Sequence, residues 1–77
     1  SLILQGNRLT DVKGLEKLTQ LTFLDLFCNQ LTSVKGLEKL TQLRRLELRD
    51  NPDLTKAQIA ELQKALPKCK IDSNPTK

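Results

Sequence analysis

A repeat of 22 residues is the feature that most constrains the fold of this chain. Asn7, Asn29 and Asn51 are each 22 residues apart, and each follows the same framework of leucines. Residues 5–26 and 27–48 are identical at 15 of 22 positions. A fixed period of about 20 to 50 residues is typical of proteins in which short units stack in one direction, each contacting its neighbours. The repeat therefore predicts a stacked architecture, although it does not identify a partner.

Each repeat contains two segments with different hydrophobic periods. In the first segment leucines alternate with polar residues, as in Leu-Asp-Leu at 24–26, which predicts a short strand with its leucines on one side. In the second segment apolar residues recur at every third position, and this spacing suits a 3₁₀ segment better than an α-helix. Examples of this spacing are Val34, Leu37, Leu40 and Leu43. We therefore expect a sheet of short strands, with 3₁₀ segments returning on the other side of a leucine core.

The recurring asparagines have a structural interpretation. Each follows a predicted strand, where the chain turns inward and stacking hides backbone N–H and C=O groups from water. A side-chain amide carries donors and an acceptor, so a column of asparagines can bond these groups from one repeat to the next. We therefore expect Asn7, Asn29, Asn51 and Asn74 to stabilise the fold rather than to bind a ligand.

The pattern changes after Asn51. One residue is inserted at 52–53, and Thr55 and Gln58 then match a capping box, in which each side chain bonds the backbone N–H of the other residue. Apolar residues at α-helical spacing follow, and Pro67 ends the segment. This pattern predicts that the last return path is an α-helix of about ten residues instead of a 3₁₀ segment.

A fourth strand is predicted after the helix. Four framework residues lie 23 positions after their counterparts in the preceding repeat: Leu66, Cys69, Ile71 and Asn74. This register places Cys69 in a leucine position, where its side chain is buried. Cys28 lies at the end of the second strand, two strand spacings or roughly 9–10 Å away. A disulfide requires Cα atoms within about 7 Å, so we predict that both thiols are free.

The framework residues resemble those of a known family. Residues 21–34 follow the pattern LxxLxLxxNxLxxV, and residues 36–43 follow GLxxLxxL. Together these patterns are similar to the leucine-rich repeat, in particular the 22-residue type of internalin-like bacterial proteins. The resemblance implies an α/β leucine-rich-repeat solenoid, with four parallel strands on its concave face, and 3₁₀ segments and a C-terminal α-helix on its convex face. It also implies a module that binds a protein partner through the concave sheet.

The spacing divides residues 1–77 into the parts of a single domain. These are a partial repeat (1–20), a repeat (21–42), a terminal repeat with the helix (43–65), a capping strand (66–74) and a tail (75–77). Because the chain opens inside a repeat, with no capping segment before it, we interpret it as the C-terminal part of a longer protein.

The composition disfavours several classes of function. The chain has no histidine, the commonest general base and metal ligand, and we expect neither a metal nor a cofactor. Lys and Arg exceed Asp and Glu by 13 to 9, but no series of aromatic residues accompanies them, so nucleic-acid binding is disfavoured. No apolar run approaches the ~18 residues that a membrane span requires.

The register predicts which side chains point away from the leucine core. Three columns cross the strands: Ser1, Phe23, Arg45 and Lys68; Ile3, Asp25, Glu47 and Lys70; and Gln5, Phe27, Arg49 and Asp72. The only two aromatic residues of the chain, Phe23 and Phe27, therefore lie on this face beside Arg45 and Arg49. Aromatic and arginine side chains are enriched at interaction hot spots. These four residues, with Asp25 and Glu47 between them, are the predicted partner-binding surface.

Both parts of this surface have a structural alternative. The two phenylalanines could instead pack locally against the sheet or contact another domain. The adjacent carboxylates of Asp25 and Glu47 could suggest a catalytic pair. However, neighbouring cations and an expected Arg49–Asp72 ion pair favour a solvated surface network over a catalytic site. We therefore expect no enzymatic activity.

The first strand is predicted to be less well covered by neighbouring segments than the C-terminal end of the chain. The predicted first strand, at residues 1–5, has an outer edge and a leucine side that no preceding repeat covers, and such edges promote association. We therefore predict that the chain self-associates through this strand or is frayed there. An alternative for the whole chain is a purely structural C-terminal cap of a longer array, whose binding face lies upstream.

Overall fold

Four short strands form a single sheet in residues 1–74, the part of the chain that the computed structural model describes. The strands are β1 (Leu2–Ile3), β2 (Phe23–Asp25), β3 (Arg45–Glu47) and β4 (Lys70–Asp72), and they lie in chain order. Each pair of neighbours is parallel. The prediction of four parallel strands is thus confirmed. The predicted tail at 75–77 lies outside the described residues.

The return paths are of two kinds, as the spacing of the apolar residues predicts. Two 3₁₀ segments, Leu15–Lys17 and Leu37–Lys39, follow β1 and β2, and the helix α1 (Lys56–Ala65) follows β3. Each 3₁₀ segment starts after a glycine with left-handed backbone, at φ 93° for Gly14 and 108° for Gly36. Residues with a Cβ atom rarely adopt this conformation, which explains the glycine in both repeats.

The capping box at the start of α1 is complete. The Thr55 hydroxyl accepts a hydrogen bond from the Gln58 backbone N–H at 3.2 Å, and the Gln58 side-chain oxygen accepts one from the Thr55 N–H at 2.9 Å. The Gln58 amide nitrogen also donates to the carbonyl of Thr32 at 3.0 Å. The cap therefore starts the helix and also attaches it to the preceding repeat.

The core is a single cluster of leucines and a few other apolar residues between the strands and the return paths. Apart from Val12, its most completely buried members come from the second and terminal repeats: Leu24, Leu26, Leu31, Leu37, Leu40, Leu43, Leu46 and Leu48. In the first repeat, Leu2, Leu4, Leu9 and Leu15 are only partly buried against this cluster, and Leu18 is exposed. The stack is therefore best packed in its middle.

Asparagine side chains connect the repeats, as predicted. The Asn29 side-chain oxygen accepts hydrogen bonds from the N–H groups of Asn7 and Leu9 at 2.9 and 3.0 Å. Its side-chain nitrogen donates to the carbonyls of Leu4 and Leu26 at 2.9 and 3.0 Å. Asn51 makes three of these four bonds one repeat later, with the Leu31 N–H and with the carbonyls of Leu26 and Leu48. These amides satisfy backbone groups that would otherwise be buried without partners, which costs about 1–3 kcal/mol each.

The register of β4 differs from the prediction by two residues. Arg45 pairs with Lys70, Leu46 with Ile71 and Glu47 with Asp72, a spacing of 25 instead of 23. An α-helix advances about 1.5 Å per residue and a 3₁₀ helix about 2 Å, so the helical return path needs more residues to cover the same distance. Because the shift is even, every side chain keeps its predicted face of the sheet.

The last asparagine keeps the predicted spacing of 23 in spite of this shift. The Asn74 side-chain oxygen accepts from the Asn51 N–H at 3.2 Å, and its nitrogen donates to the Asn51 carbonyl at 2.6 Å. The asparagine spacing therefore identified the correct partner for Asn51, but it does not report the register of the strand before it.

Both cysteine thiols are free, as predicted. Cys69 is buried in the leucine core, and this burial raises the pKa of its thiol. Cys28 is exposed and has a left-handed backbone, with φ 59°. Within residues 1–74 no helix has the length and apolar character to cross a membrane.

Candidate functional site

The face of the sheet opposite the leucine core carries the candidate site, and we call it the open face. Side chains alternate along a strand, so the residues next to the buried Leu24 and Leu46 point to this face. Two rows of register partners cross it: Phe23, Arg45 and Lys70; and Ile3, Asp25, Glu47 and Asp72. The predicted columns are correct for Ile3 with Asp25, Phe23 with Arg45 and Asp25 with Glu47, and wrong at β4, where Lys70 and Asp72 each lie one row earlier than expected.

The two phenylalanines lie outside the hydrophobic core cluster. Each is half-buried, so their rings are neither fully exposed nor part of the leucine packing. Phe23 is the direct Cα partner of Arg45. Phe27 follows β2, where its carbonyl accepts the N–H of Gly6 at 3.1 Å. The structure thus places the two rings at opposite ends of β2.

The two carboxylates between the phenylalanines are almost fully covered, although they are charged. Asp25 is 7% exposed and Glu47 is 8% exposed, and they are direct Cα partners. Asp25 accepts hydrogen bonds from the Gln5 side-chain amide and, at 3.0 Å, from the Phe27 backbone N–H. These bonds hold the chain beyond the strand, whereas the sequence predicted a solvated network of ion pairs around these carboxylates.

Glu47 is bound by Arg49. It accepts from the Arg49 backbone N–H at 2.9 Å and from the guanidinium, with the shortest distance 2.6 Å between Nη2 and Oε1. These side-chain hydrogen bonds are the main reason why the pKa of Glu47 is lowered, although desolvation acts in the opposite direction. A carboxylate held ionised by an arginine is a poor proton donor near neutral pH.

The predicted Arg49–Asp72 ion pair is wrong. Arg49 pairs with Glu47 instead, and Asp72 pairs with Arg45 at 3.4 Å. The cause is the shift of β4, which moves Asp72 into the row of Glu47. Both arginine side chains stay more than half exposed, at 57% for Arg49 and 54% for Arg45, so each pair contributes only about 0–1 kcal/mol.

The sequence-based interpretation missed a group of cations at the start of β3 and β4. It placed Lys70 beside Glu47, where its charge would be balanced, whereas the structure places it beside Arg45. The carbonyl of Arg44 accepts the Lys70 N–H at 2.8 Å, so the Arg44 backbone lies beside Lys70, while its charge acts on the thiol of Cys69. The only available signal was the Arg-Arg pair at 44–45 followed by Lys-Cys-Lys at 68–70.

Comparison with known families agrees with the fold and the repeat. The family described as "Leucine Rich repeats (2 copies)" matches residues 1–39 and 19–64, which together cover most of the chain. No curated protein sequence matches the chain.

Proposed function

The chain belongs to the leucine-rich repeat family, and we propose that it is a protein-interaction module which binds a partner protein through the open face of its sheet. Repeats of this family generally mediate protein–protein interactions. The observation that carries the proposal is the position of Phe23 and Phe27. Both rings lie outside the core, and Phe23 is the Cα partner of the exposed Arg45 on the open face. Buried aromatic and arginine anchors dominate the energy of protein interfaces.

The finer classification is part of the same proposal. In it the repeats are of the 22-residue, internalin-like bacterial type, and the stack is a curved solenoid whose open face is concave. The repeats are divided at 1–20, 21–42 and 43–65, with 66–74 as the capping strand. The module is not an enzyme, because the carboxylates of Asp25 and Glu47 are already engaged by hydrogen bonds from Gln5, Phe27 and Arg49.

The test is a selection of binding peptides followed by mutation of the open face. A displayed library of random peptides of about 12 residues is selected against the immobilised chain, and an enriched peptide is labelled for titration. We expect the double variant Phe23→Ala with Phe27→Ala to weaken binding at least about tenfold, because it removes two apolar anchors. Its melting temperature should stay close to that of the original chain, since neither ring is in the core.

The control is the double variant Thr19→Ala with Thr41→Ala. These two exposed threonines lie at the same position of successive repeats, on the return path away from the open face. The control should leave binding unchanged. If the phenylalanine variant unfolds while binding by the folded fraction persists, the rings are structural and the peptide binds elsewhere. A selection that enriches no peptide would favour the alternative, a structural C-terminal cap whose binding face lies upstream.

Self-association through β1 is a second candidate function, carried by the exposure of the first repeat. Ile3 and Leu18 are the two large apolar residues with the most exposed side chains in the described part of the chain. Among residues 1–74, no strand pairs with the outer edge of β1. Sedimentation analysis of the 77-residue chain tests this candidate: a concentration-dependent dimer that Ile3→Lys disrupts supports it, and a monomer at all concentrations contradicts it.

A further inference from the structure

Apolar side chains collect on one half of the open face. Ile3 on β1 is the Cα partner of Asp25, and Phe23 lies two residues before Asp25 on β2. Side chains two residues apart on a strand share a face, so Ile3 and Phe23 lie on the open face of neighbouring strands. Ile3 is 61% exposed, more than any other large apolar residue among residues 1–74. The first two strands therefore present apolar surface to solvent.

The position of Phe27 in the repeat adds its ring to this surface. Its counterparts 22 residues before and after are Gln5 and Arg49. The Gln5 side chain bonds the Asp25 carboxylate, and the Arg49 side chain bonds the Glu47 carboxylate. Both carboxylates lie on the open face, so both counterparts of Phe27 extend over that face. The equivalent position places the Phe27 ring there as well, and we call Ile3, Phe23 and Phe27 the apolar patch.

The charges of the open face balance one another. The face carries three cations and three carboxylates: Arg45, Arg49 and Lys70, and Asp25, Glu47 and Asp72. Arg49 binds Glu47 at 2.6 Å, and Arg45 binds Asp72 at 3.4 Å. Asp25 is engaged by the Gln5 amide and the Phe27 N–H, and it is almost fully covered. A charged partner would therefore lose hydration at this face without gaining a net attraction.

We propose that the open face binds an uncharged, apolar segment of a partner protein, which packs against the apolar patch. The inference rests on the proposed function, because it assigns the chemistry of the partner at the same face. It adds Ile3 to the binding surface. Arg45 and Arg49 remain in that surface as contact area, since their charges are already balanced within it. The affinity then comes from the burial of apolar surface.

The balance of charges predicts how binding responds to salt. Dissolved ions screen the attraction between separate charges, over a distance of about 10 Å at 0.1 M salt. Burial of apolar surface involves no such attraction. The dissociation constant of a peptide bound to the apolar patch should therefore change less than about twofold between about 50 and 500 mM NaCl.

The peptide selection described above tests this inference. We expect the enriched peptides to contain at least two aromatic or aliphatic residues and to carry no net charge. Ile3→Ala should weaken the binding of an enriched peptide at least about fivefold, because it removes an exposed apolar contact. The melting temperature of this variant checks that it is folded.

Two control variants separate the apolar patch from other parts of the surface. Leu18→Ala shortens the other exposed large apolar residue, which lies on the return path after the first 3₁₀ segment. Lys70→Gln removes a charge from the open face outside the apolar patch. Each control should change the affinity less than about twofold. Equal effects of Ile3→Ala and Leu18→Ala would contradict the assignment of Ile3 to the binding surface.

The possible failures are distinguishable. Enriched peptides that are charged, and whose binding is lost at 500 mM NaCl but still requires Phe23 and Phe27, would overturn the apolar partner and leave the open face as the binding surface. A dimer of the chain that Phe23→Ala with Phe27→Ala dissociates would assign the patch to a second copy and also overturn the inference. An absence of enrichment, or peptides insensitive to every open-face variant, would overturn both proposals.

Discussion

Two segments of this chain have almost the same sequence and very different environments. Residues 9–21 and 31–43 differ at one of 13 positions, where Asp11 corresponds to Ser33. Leu40 is completely buried, whereas its counterpart Leu18 is 42% exposed. The second segment lies between the first segment and α1, and the first has a described neighbour on one side only. Because the leucine is the same in both segments, its burial is decided by the position of the segment in the stack.

Backbone hydrogen bonds show the same asymmetry. In the second segment the N–H groups of Gln30 and Thr32 donate to the carbonyls of Leu9 and Thr10 in the first, at 2.8 and 3.0 Å. In the described part of the chain, no earlier repeat offers carbonyls that could accept the equivalent N–H groups of the first segment. Matched substitutions in the two segments can therefore measure what a neighbouring repeat contributes to stability.

The largest difference is expected for leucine truncation. Leu40→Ala should lower the free energy of unfolding by about 2–5 kcal/mol, because it leaves a cavity in the core, whereas Leu18→Ala should lower it by less than about 1 kcal/mol. Urea denaturation of both variants measures the two values. Equal losses would mean that Leu18 is buried in solution, for example by a second copy of the chain.

A smaller but clear difference is expected for the asparagines. Asn51→Ala should cost about 2–3 kcal/mol, because it removes the partners of the Leu26 and Leu48 carbonyls and of the Leu31 N–H. Asn7→Ala should change stability by at most about 0.5 kcal/mol, since the side chain of Asn7 makes one exposed bond, to the Gln5 carbonyl. Thermal denaturation followed by circular dichroism compares them. A large loss for Asn7→Ala would contradict the structural explanation.

Alanine substitutions at the two glycines before the 3₁₀ segments should differ less in the stability that they cost. Both have a left-handed backbone, so an alanine at either position costs about 1–2 kcal/mol. A Cβ atom at Gly36 would also lie 3.3 Å from the Glu16 side-chain oxygen, while at Gly14 it would meet no atom within 4 Å. Gly36→Ala should therefore be the more destabilising of the two in a denaturation series. The opposite order would show that Glu16 moves away at no cost.

The smallest effect is a pH dependence in the second segment. Backbone N–H groups of Glu38 itself and of Gly36 lower the pKa of Glu38 below its ordinary value of 4.5. A lowered pKa means that the charged form stabilises the folded state above pH 4.5, and that this contribution is lost as the pH falls through the folded-state pKa. The difference in stability between the original chain and Glu38→Gln should therefore be present at pH 7 and shrink below pH 4.5. Because Glu38 is exposed, the effect should be small, and a difference that grows on acidification would contradict this cause.

Most of the fold follows from the sequence because residues at equivalent positions of successive repeats are also neighbours in the structure. The period placed β1 to β3 in the correct register, and the spacing of three identified the 3₁₀ segments. Thr55 and Gln58 identified the start of α1, because a capping box is a local signal. The roles of Asn29, Asn51 and Asn74 and the two free thiols were also predicted correctly, whereas the side chain of Asn7 bonds only the Gln5 carbonyl of its own repeat. The candidate site was predicted less completely, since Phe23, Arg45 and Glu47 lie on strands with the correct register but Lys70 and Asp72 do not.

The sequence by itself determined the architecture, the buried positions within a repeat and the face of the sheet on which each side chain lies. These features depend on local periods and on contacts between equivalent residues. Only the tertiary structure decided how far the helix displaces β4, and with it that Lys70 lies beside Arg45 and that Asp72 pairs with that arginine. Only the tertiary structure also decided that Leu18 is exposed while Leu40 is buried. Both results depend on the packing of one unit against a neighbour that differs from it or is not among the described residues, and a repeated pattern contains no information about such a neighbour.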